Sequence, residues 1–222
     1  MFEHIVQASW SGETDAGAHP QRIARRSRGL ASIGVVHMFF RTLLHALLSQ
    51  FGPRLGHFDV ARTNFVTLPT DQDILRHMNN GVYLSIMDVA RFDMLHRTGV
   101  WAIFKRQGWY PVVVSETISF RKSLKLGQKF TVESRIIGFD EKAVYVEQRF
   151  VRPDADGTPE IYAHGHIRGR FLKRTGGIVT IDELLEAIGV APDNVSVPDW
   201  LLEWAATAAV PPTRAPAPSI WN

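Results

Sequence analysis

One long helical pattern followed by four successive strand patterns is the feature that most limits how this chain can fold. Within GVYLSIMDVARFDMLHRTG, from Gly81 to Gly99, the residues Val82, Tyr83, Ile86, Met87, Ala90 and Met94 share one helical face. Asn79 or Asn80 can cap its start, His96 and Arg97 suit its last turn, and Gly99 stops it. A short helical piece, VWAIFKRQ, runs on to Gly108. From Tyr110 the helical period gives way to a strand period. VVVSETISFRK, KFTVESRIIGF, AVYVEQRFVR and IYAHGHIRGRFLK read as strands joined by LKLGQ, DEK and PDADGTPE. HFDVARTNFVTL, His57–Leu68, reads as a further strand that Pro69 ends. An amphipathic helix laid against a curved antiparallel sheet buries the apolar side of both, which is an α+β arrangement. TIDELLEAIG adds a compact helix, with Thr180 and Glu183 as a capping box and Gly189 past its end.

The two ends of the chain read differently. Residues 1–29 hold Gly, Ser, His and Arg without apolar periodicity and are expected to form a disordered arm. Residues 30–51 form an amphipathic helix in which His37, Arg41, His45 and Ser49 make a narrow polar stripe on an apolar cylinder. Arg41 in mid-segment argues against a membrane span, and the late start argues against a signal peptide. Two roles remain, a helix lying on a bilayer surface or one packed on a protein patch. Residues 54–190 make up the main domain, and residues 191–222 are expected to form an extended, mobile Pro/Ala-rich tail. Met38 directly precedes FFRTLLHALL, so residues 1–37 are expected to be dispensable.

Charge and composition remove several function classes. Lys and Arg total 25 against 22 Asp and Glu, and residues 1–56 hold six Arg and three acids. The folded part is therefore neutral, which argues against a nucleic-acid partner. With no cysteine among 222 residues, disulfides, thiolate nucleophiles and Cys-ligated zinc are excluded, and a reducing compartment is expected. No G-x-S-x-G elbow, P-loop or H-E-x-x-H is present. His164 and His166 form H-x-H on one strand face, a spacing that can ligate a metal. No carboxylate cluster is expected to accompany them, so solvent-facing or interface histidines, with no metal, are the expectation.

The segment DQDILRHMNNGVY, Asp71 to Tyr83, sets two carboxylates, a histidine and two asparagines just before the long helix. The first helical amides point free N–H groups outward, and the helix dipole adds positive potential, which suits an oxyanion. An aspartate there can attack a carbonyl or activate a water. The same residues also serve as ordinary loop and capping groups.

The pattern D-x-D-x-x-x-H-x-N-N-x-x-Y, followed by a helix and four strands, resembles the hotdog-fold thioesterases, most closely their hydroxybenzoyl-CoA thioesterase-like branch. The resemblance runs from Arg54 to Gly189 and takes in RFDML, WYPVVVSETISFRKSL and HGHIRGRF. It implies a hotdog fold, a curved antiparallel β-sheet wrapped around one long central α-helix. It also implies an acyl-CoA thioesterase, without cofactor, that releases a carboxylate and free CoA. The family's catalytic carboxylate falls on Asp73, acting as general base or as nucleophile, and its backbone oxyanion donor falls at Asn80. His77 and Asn79 match the family signature, and Tyr83 matches its helix aromatic. Met87 is expected beside the acyl chain. Arg121, Lys122 and Lys125 either meet the CoA phosphates or form a solvated charge run.

Asp71 is assigned only to the loop. Leu75 stands where plant acyl-carrier-protein thioesterases carry Asn, and Arg76 where many relatives have Gly. The resemblance further implies a homodimer or dimer of dimers with the site near the interface. The expected location is cytoplasmic, with peripheral membrane contact through residues 32–51. Two other readings stay open. A hotdog hydratase or dehydratase usually separates Asp from His by five positions with Asn-Pro between, whereas His77 lies four after Asp73 and six after Asp71. A non-catalytic acyl-thioester-binding module at a membrane is the second.

Overall fold

Strands that alternate apolar and polar residues must pair with the apolar rows aligned, because a slip by one residue turns every side chain to the wrong face. In the computed structural model, which describes residues 40–45, 47–49, 52–212 and 214–219, these strands form one antiparallel sheet. Its members are β1 (Ala61–Val66), β2 (Trp109–Phe120), β3 (Lys129–Phe139), β4 (Val144–Pro153) and β5 (Pro159–Lys173), in the order β1-β3-β4-β5-β2. β1 begins four residues after His57, because Gly56 and Asp59 make a turn there. The Gly56 N–H donates to Asp59 Oδ2 at 2.7 Å.

Helix α1 (Asn80–Arg97) covers the inner face of the sheet. Tyr83, Ile86, Met87, Ala90 and Met94 are buried, as the helical spacing requires. An aromatic column runs beneath them. Phe65 stacks on its register partner Phe130 at 5.6 Å, Phe130 stacks on Phe150 at 5.6 Å, and Tyr83 meets Phe150 at 4.9 Å. A Cβ on Gly165 would lie 2.5 Å from Met87 Cε, so the missing side chain lets α1 sit this close to β5. RFDML adds polar anchors. Arg91 donates to buried Gln148 at 2.7 Å, and Asp93 accepts from Thr63 on β1 at 2.7 Å. Helices α2 (Val100–Gln107) and α3 (Ile181–Ile188) complete the core, α3 with the Thr180–Glu183 capping box in place.

Two parts differ from expectation. The C-terminal segment is not wholly extended, for Asp199–Thr207 forms helix α4. DWLLEWAAT carries its own apolar face, and Leu201 and Ala205 pack on Ile137 and Tyr145 of the outer sheet face. The approach is close, since a Cβ on Gly138 would fall 2.6 Å from the Val197 backbone nitrogen. At the other end, residues 40–45 and 47–48 are helical, and the described polar residues of this segment face inward. Arg41 and Ser49 are buried, while Phe40, Leu43, Leu44, Leu47 and Leu48 are exposed. The segment thus packs on the domain by its polar side and leaves its apolar side in solvent. The expectations for residues 1–39 lie outside the described residues. Among the described residues no helix is long and apolar enough to cross a membrane.

Candidate active site

β1 ends at Val66, and Pro69 opens a single 3-10 turn, Pro69–Asp71, which leads into the loop before α1. Asp71 is completely buried, so its charge must be met inside the protein. Nη1 of Arg41 donates to Asp71 Oδ2 at 2.9 Å and to Oδ1 at 3.1 Å, and the Leu68 N–H donates to Oδ2 at 2.8 Å. Nη2 of Arg41 donates to the Val66 carbonyl at 2.9 Å, and the guanidinium lies over the Phe65 ring at 5.2 Å. The Asp71 carbonyl then accepts the Asn79 N–H at 2.8 Å, closing the loop across a bridge between Gln72 and Met78.

Asp73 sits inside this closed loop. Its Oδ1 accepts the N–H groups of Leu75 at 2.8 Å and His77 at 3.2 Å, and its own N–H donates to the His77 carbonyl at 2.8 Å. Oδ2 meets no donor among the described residues. Arg76 adopts φ 61°, the left-handed conformation that glycine takes without strain. Asn79 caps α1 through its side chain, accepting the Gly81 N–H at 2.9 Å, and Asn80 is the first helical residue. The Asn80 N–H finds no acceptor among the described residues. One short loop therefore holds Asp73, His77, Asn79 and Asn80 at the positive end of α1.

The other site candidates lie differently. Tyr83 is a core residue whose hydroxyl accepts the Leu124 N–H at 3.3 Å, and burial pushes its pKa up. Met87 is fully buried against Gly165. Arg121 and Lys122 both pair with Glu160, at 2.7 and 2.5 Å, and hold its carboxyl below the usual range. Lys125 is exposed in the turn after β2.

Residues 67–205, well over half of the chain, match the family model of the thioesterase-like superfamily. The chain belongs to that superfamily. Among curated relatives, the Xenopus laevis protein THEM6 is 43% identical over 86 residues, 39% of this chain and 42% of the relative. The chain spans about two-fifths of the length of the first curated relatives it matches. Among solved structures, the "YbaW Probable Thioesterase" of Escherichia coli superposes with a TM-score of 0.53 at 21% identity, over 61% of this chain and 99% of that one. A mutant 4-hydroxybenzoyl-CoA thioesterase in complex with 4-hydroxybenzoyl-CoA gives 0.52 at 14% identity, over 59% and 99%. These likenesses place the superfamily member in the hotdog fold, a curved antiparallel sheet around one long helix.

Two residues of this thioesterase-like chain take places the sequence did not disclose. Arg41 reaches Asp71 from thirty residues upstream, so Asp71 is the anchor of the loop as well as part of it. Its only sequence signal was the lone charge in the apolar segment 32–51. Glu147 meets the H-x-H pair on the outer sheet face, with its Oε1 2.7 Å from His164 Nε2. A carboxylate does accompany the two histidines, then, but it comes from the neighbouring strand. Arg135 and Arg149 also donate to Glu147, at 2.7 and 2.6 Å, and the hydrogen bonds from His164, Arg135 and Arg149 outweigh its burial and hold its carboxyl far below the usual range. His166 is buried, not solvent-facing, and burial draws its pKa down to about 4.

Asp71→Asn is expected to lower unfolding stability by about 3–5 kcal/mol, the cost of stranding a buried guanidinium. Asp73→Asn keeps an oxygen for both loop N–H groups and should stay within about 1 kcal/mol of the parent. Equilibrium urea unfolding reads the contrast. Equal losses in the two variants would contradict the role of Asp71 as anchor.

Proposed function

We propose that the protein is an acyl-CoA thioesterase in which Asp73 acts on the thioester carbonyl at the N-terminus of α1. The observation that carries this reading is the state of the Asp73 carboxylate. One oxygen is tied by two loop amides and the other is open, in the loop that leads to the unpaired N–H of Asn80 at the start of α1. Membership in the thioesterase-like superfamily supports the same chemistry, and one structural neighbour was solved with an acyl-CoA bound. Asp73 takes a proton from water as that water attacks the carbonyl carbon, or attacks the carbon itself to give a mixed anhydride that water then opens. In either route the carbonyl oxygen gains negative charge, which the Asn80 N–H and the helix dipole stabilise. The C–S bond breaks, and the sulfur leaves as the CoA thiol once protonated. His77, half-buried in the same loop, orients the loop or the substrate.

Thiol release from a panel of aliphatic and aromatic acyl-CoAs, followed with a thiol-reactive dye, tests this function. Turnover of at least one class is expected. Binding without thiol release would replace the enzyme with an acyl-thioester-binding module. Addition of water to an enoyl thioester without C–S cleavage would favour a hydratase.

We further infer a homodimer formed along β2. This strand is an edge of the sheet and presents Tyr110, Val113, Val114 and Phe120 to solvent, an arrangement that invites pairing with a second copy. Beside Asp73, both side-chain polar atoms of Gln72 are buried without a partner among the described residues, a cost that a neighbouring subunit or substrate would relieve. The exposed side chains of Phe40, Leu43, Leu44, Leu47 and Leu48 support peripheral contact with a bilayer surface. Sedimentation should show a dimer, and flotation should carry the protein with phospholipid vesicles. An active monomer would overturn the first inference, and failure to float would overturn the second.

A further inference from the structure

The outer face of the sheet holds a constellation that the proposed hydrolysis does not use. β4 and β5 pair so that Glu147 stands opposite His166 and Arg149 opposite His164. Strand alternation turns Glu147, His164 and His166 away from α1. One ligating atom from each of the three lies within 4.8 Å of the other two, and the imidazole rings are 4.5 Å apart between centroids. Over them opens a cavity of about 610 Å³, walled on the far side by Asn194, Ser196 and Trp200. The Trp200 ring meets His166 edge-on at 5.0 Å.

His166 faces this cavity without a protein partner among the described residues. It is 8% exposed and lines the cavity, yet among the described residues its ring nitrogens find no hydrogen-bond partner. Those nitrogens are not sealed among apolar atoms but open to the cavity, where a ligand can reach them. Glu147 gathers three partners in this cluster, while the imidazole of His166 beside it has none among the described residues.

We propose that Glu147, His164 and His166 form a binding site for a divalent transition-metal ion of the zinc class, with its fourth position open to the cavity. Two histidines two apart on one strand, with a carboxylate from the adjoining strand, give three ligands on a rigid sheet. Two nitrogens and one oxygen suit zinc, cobalt or nickel, whereas magnesium and calcium take oxygen sets. Ligand atoms in a tetrahedral zinc site stand roughly 3.3 Å apart, so side-chain rotation alone closes the spread seen here. His164 gives up its hydrogen bond to Glu147, carries its proton on the other ring nitrogen, and turns Nε2 to the ion. Arg135 and Arg149 are both partly exposed. They remain on the carboxylate as outer partners that orient it, or swing into solvent. The positive charge they add limits the site to moderate affinity.

The test uses the full chain, stripped with chelator and titrated with Co²⁺ and then Zn²⁺. One Co²⁺ per chain is expected to give visible d–d absorption, which Zn²⁺ then abolishes, with a rise in Tm. Loss of an outer partner alone weakens metal sites by about 10–100-fold. Losing a direct ligand in His166→Ala or His164→Ala should therefore weaken Zn²⁺ binding by at least about 100-fold. Glu147→Gln should weaken it as well, and circular dichroism should show each variant folded. Absence of Co²⁺ absorption in the parent would overturn the proposal. So would absorption of the same intensity and stoichiometry in the folded His164→Ala/His166→Ala double variant, because the ion would then sit on other histidines.

Discussion

A carboxylate completely removed from water at the mouth of α1 governs how this chain is arranged. A buried carboxylate needs partners inside the protein, and Arg41 and the Leu68 N–H supply them. Several features follow from that demand. The helical residues 40–45 and 47–48 turn Arg41 to the protein and their leucines to solvent, the reverse of a typical surface helix. The Asp71 carbonyl fixes Asn79, Asn79 caps α1, and the Asn80 N–H is left pointing out of the helix. Asp73 is held from within the same loop, so its open oxygen and the helix end belong to one rigid piece of backbone.

The two faces of the sheet meet different requirements. The inner face closes on α1 through an aromatic column and a glycine that admits Met87. The outer face mixes charge with a small apolar patch, and the C-terminal segment covers both. Leu201 and Ala205 of α4 seal the patch beside Tyr145, while Trp200 closes over His166. Gly138 allows that segment to approach, because any side chain there would collide with Val197. The segment that covers the outer face thereby builds a polar cavity on the side of the sheet opposite α1.

Much of this was legible in the residues themselves. The change of period near Tyr110 separated helix from strands, VWAIFKRQ coincided with α2, and Thr180 with Glu183 marked the start of α3. The D-x-D-x-x-x-H-x-N-N motif located a loop whose backbone does gather those residues at a helix end. What stayed hidden depends on pairing between distant segments. Nothing local to Arg41 announces Asp71, and Glu147 meets His164 only because β4 and β5 are neighbours in that register. The helix α4 was masked by the prolines and alanines around DWLLEWAAT, which drew the reading towards an extended tail. Tyr83 and Met87 fit the helical stripe as core residues, and in this chain the core is where they lie.

The central claim is that the open oxygen of Asp73 performs the chemistry while the rest of the loop holds it in place. The most direct measurement is kcat for acyl-CoA hydrolysis by Asp73→Asn, taken beside its affinity for the same acyl-CoA. The account predicts that kcat falls by about 10²–10⁴-fold while affinity changes little, because Asn fills the same space and keeps the loop hydrogen bonds. An Asp73→Asn protein that retains most of the parent kcat would contradict it.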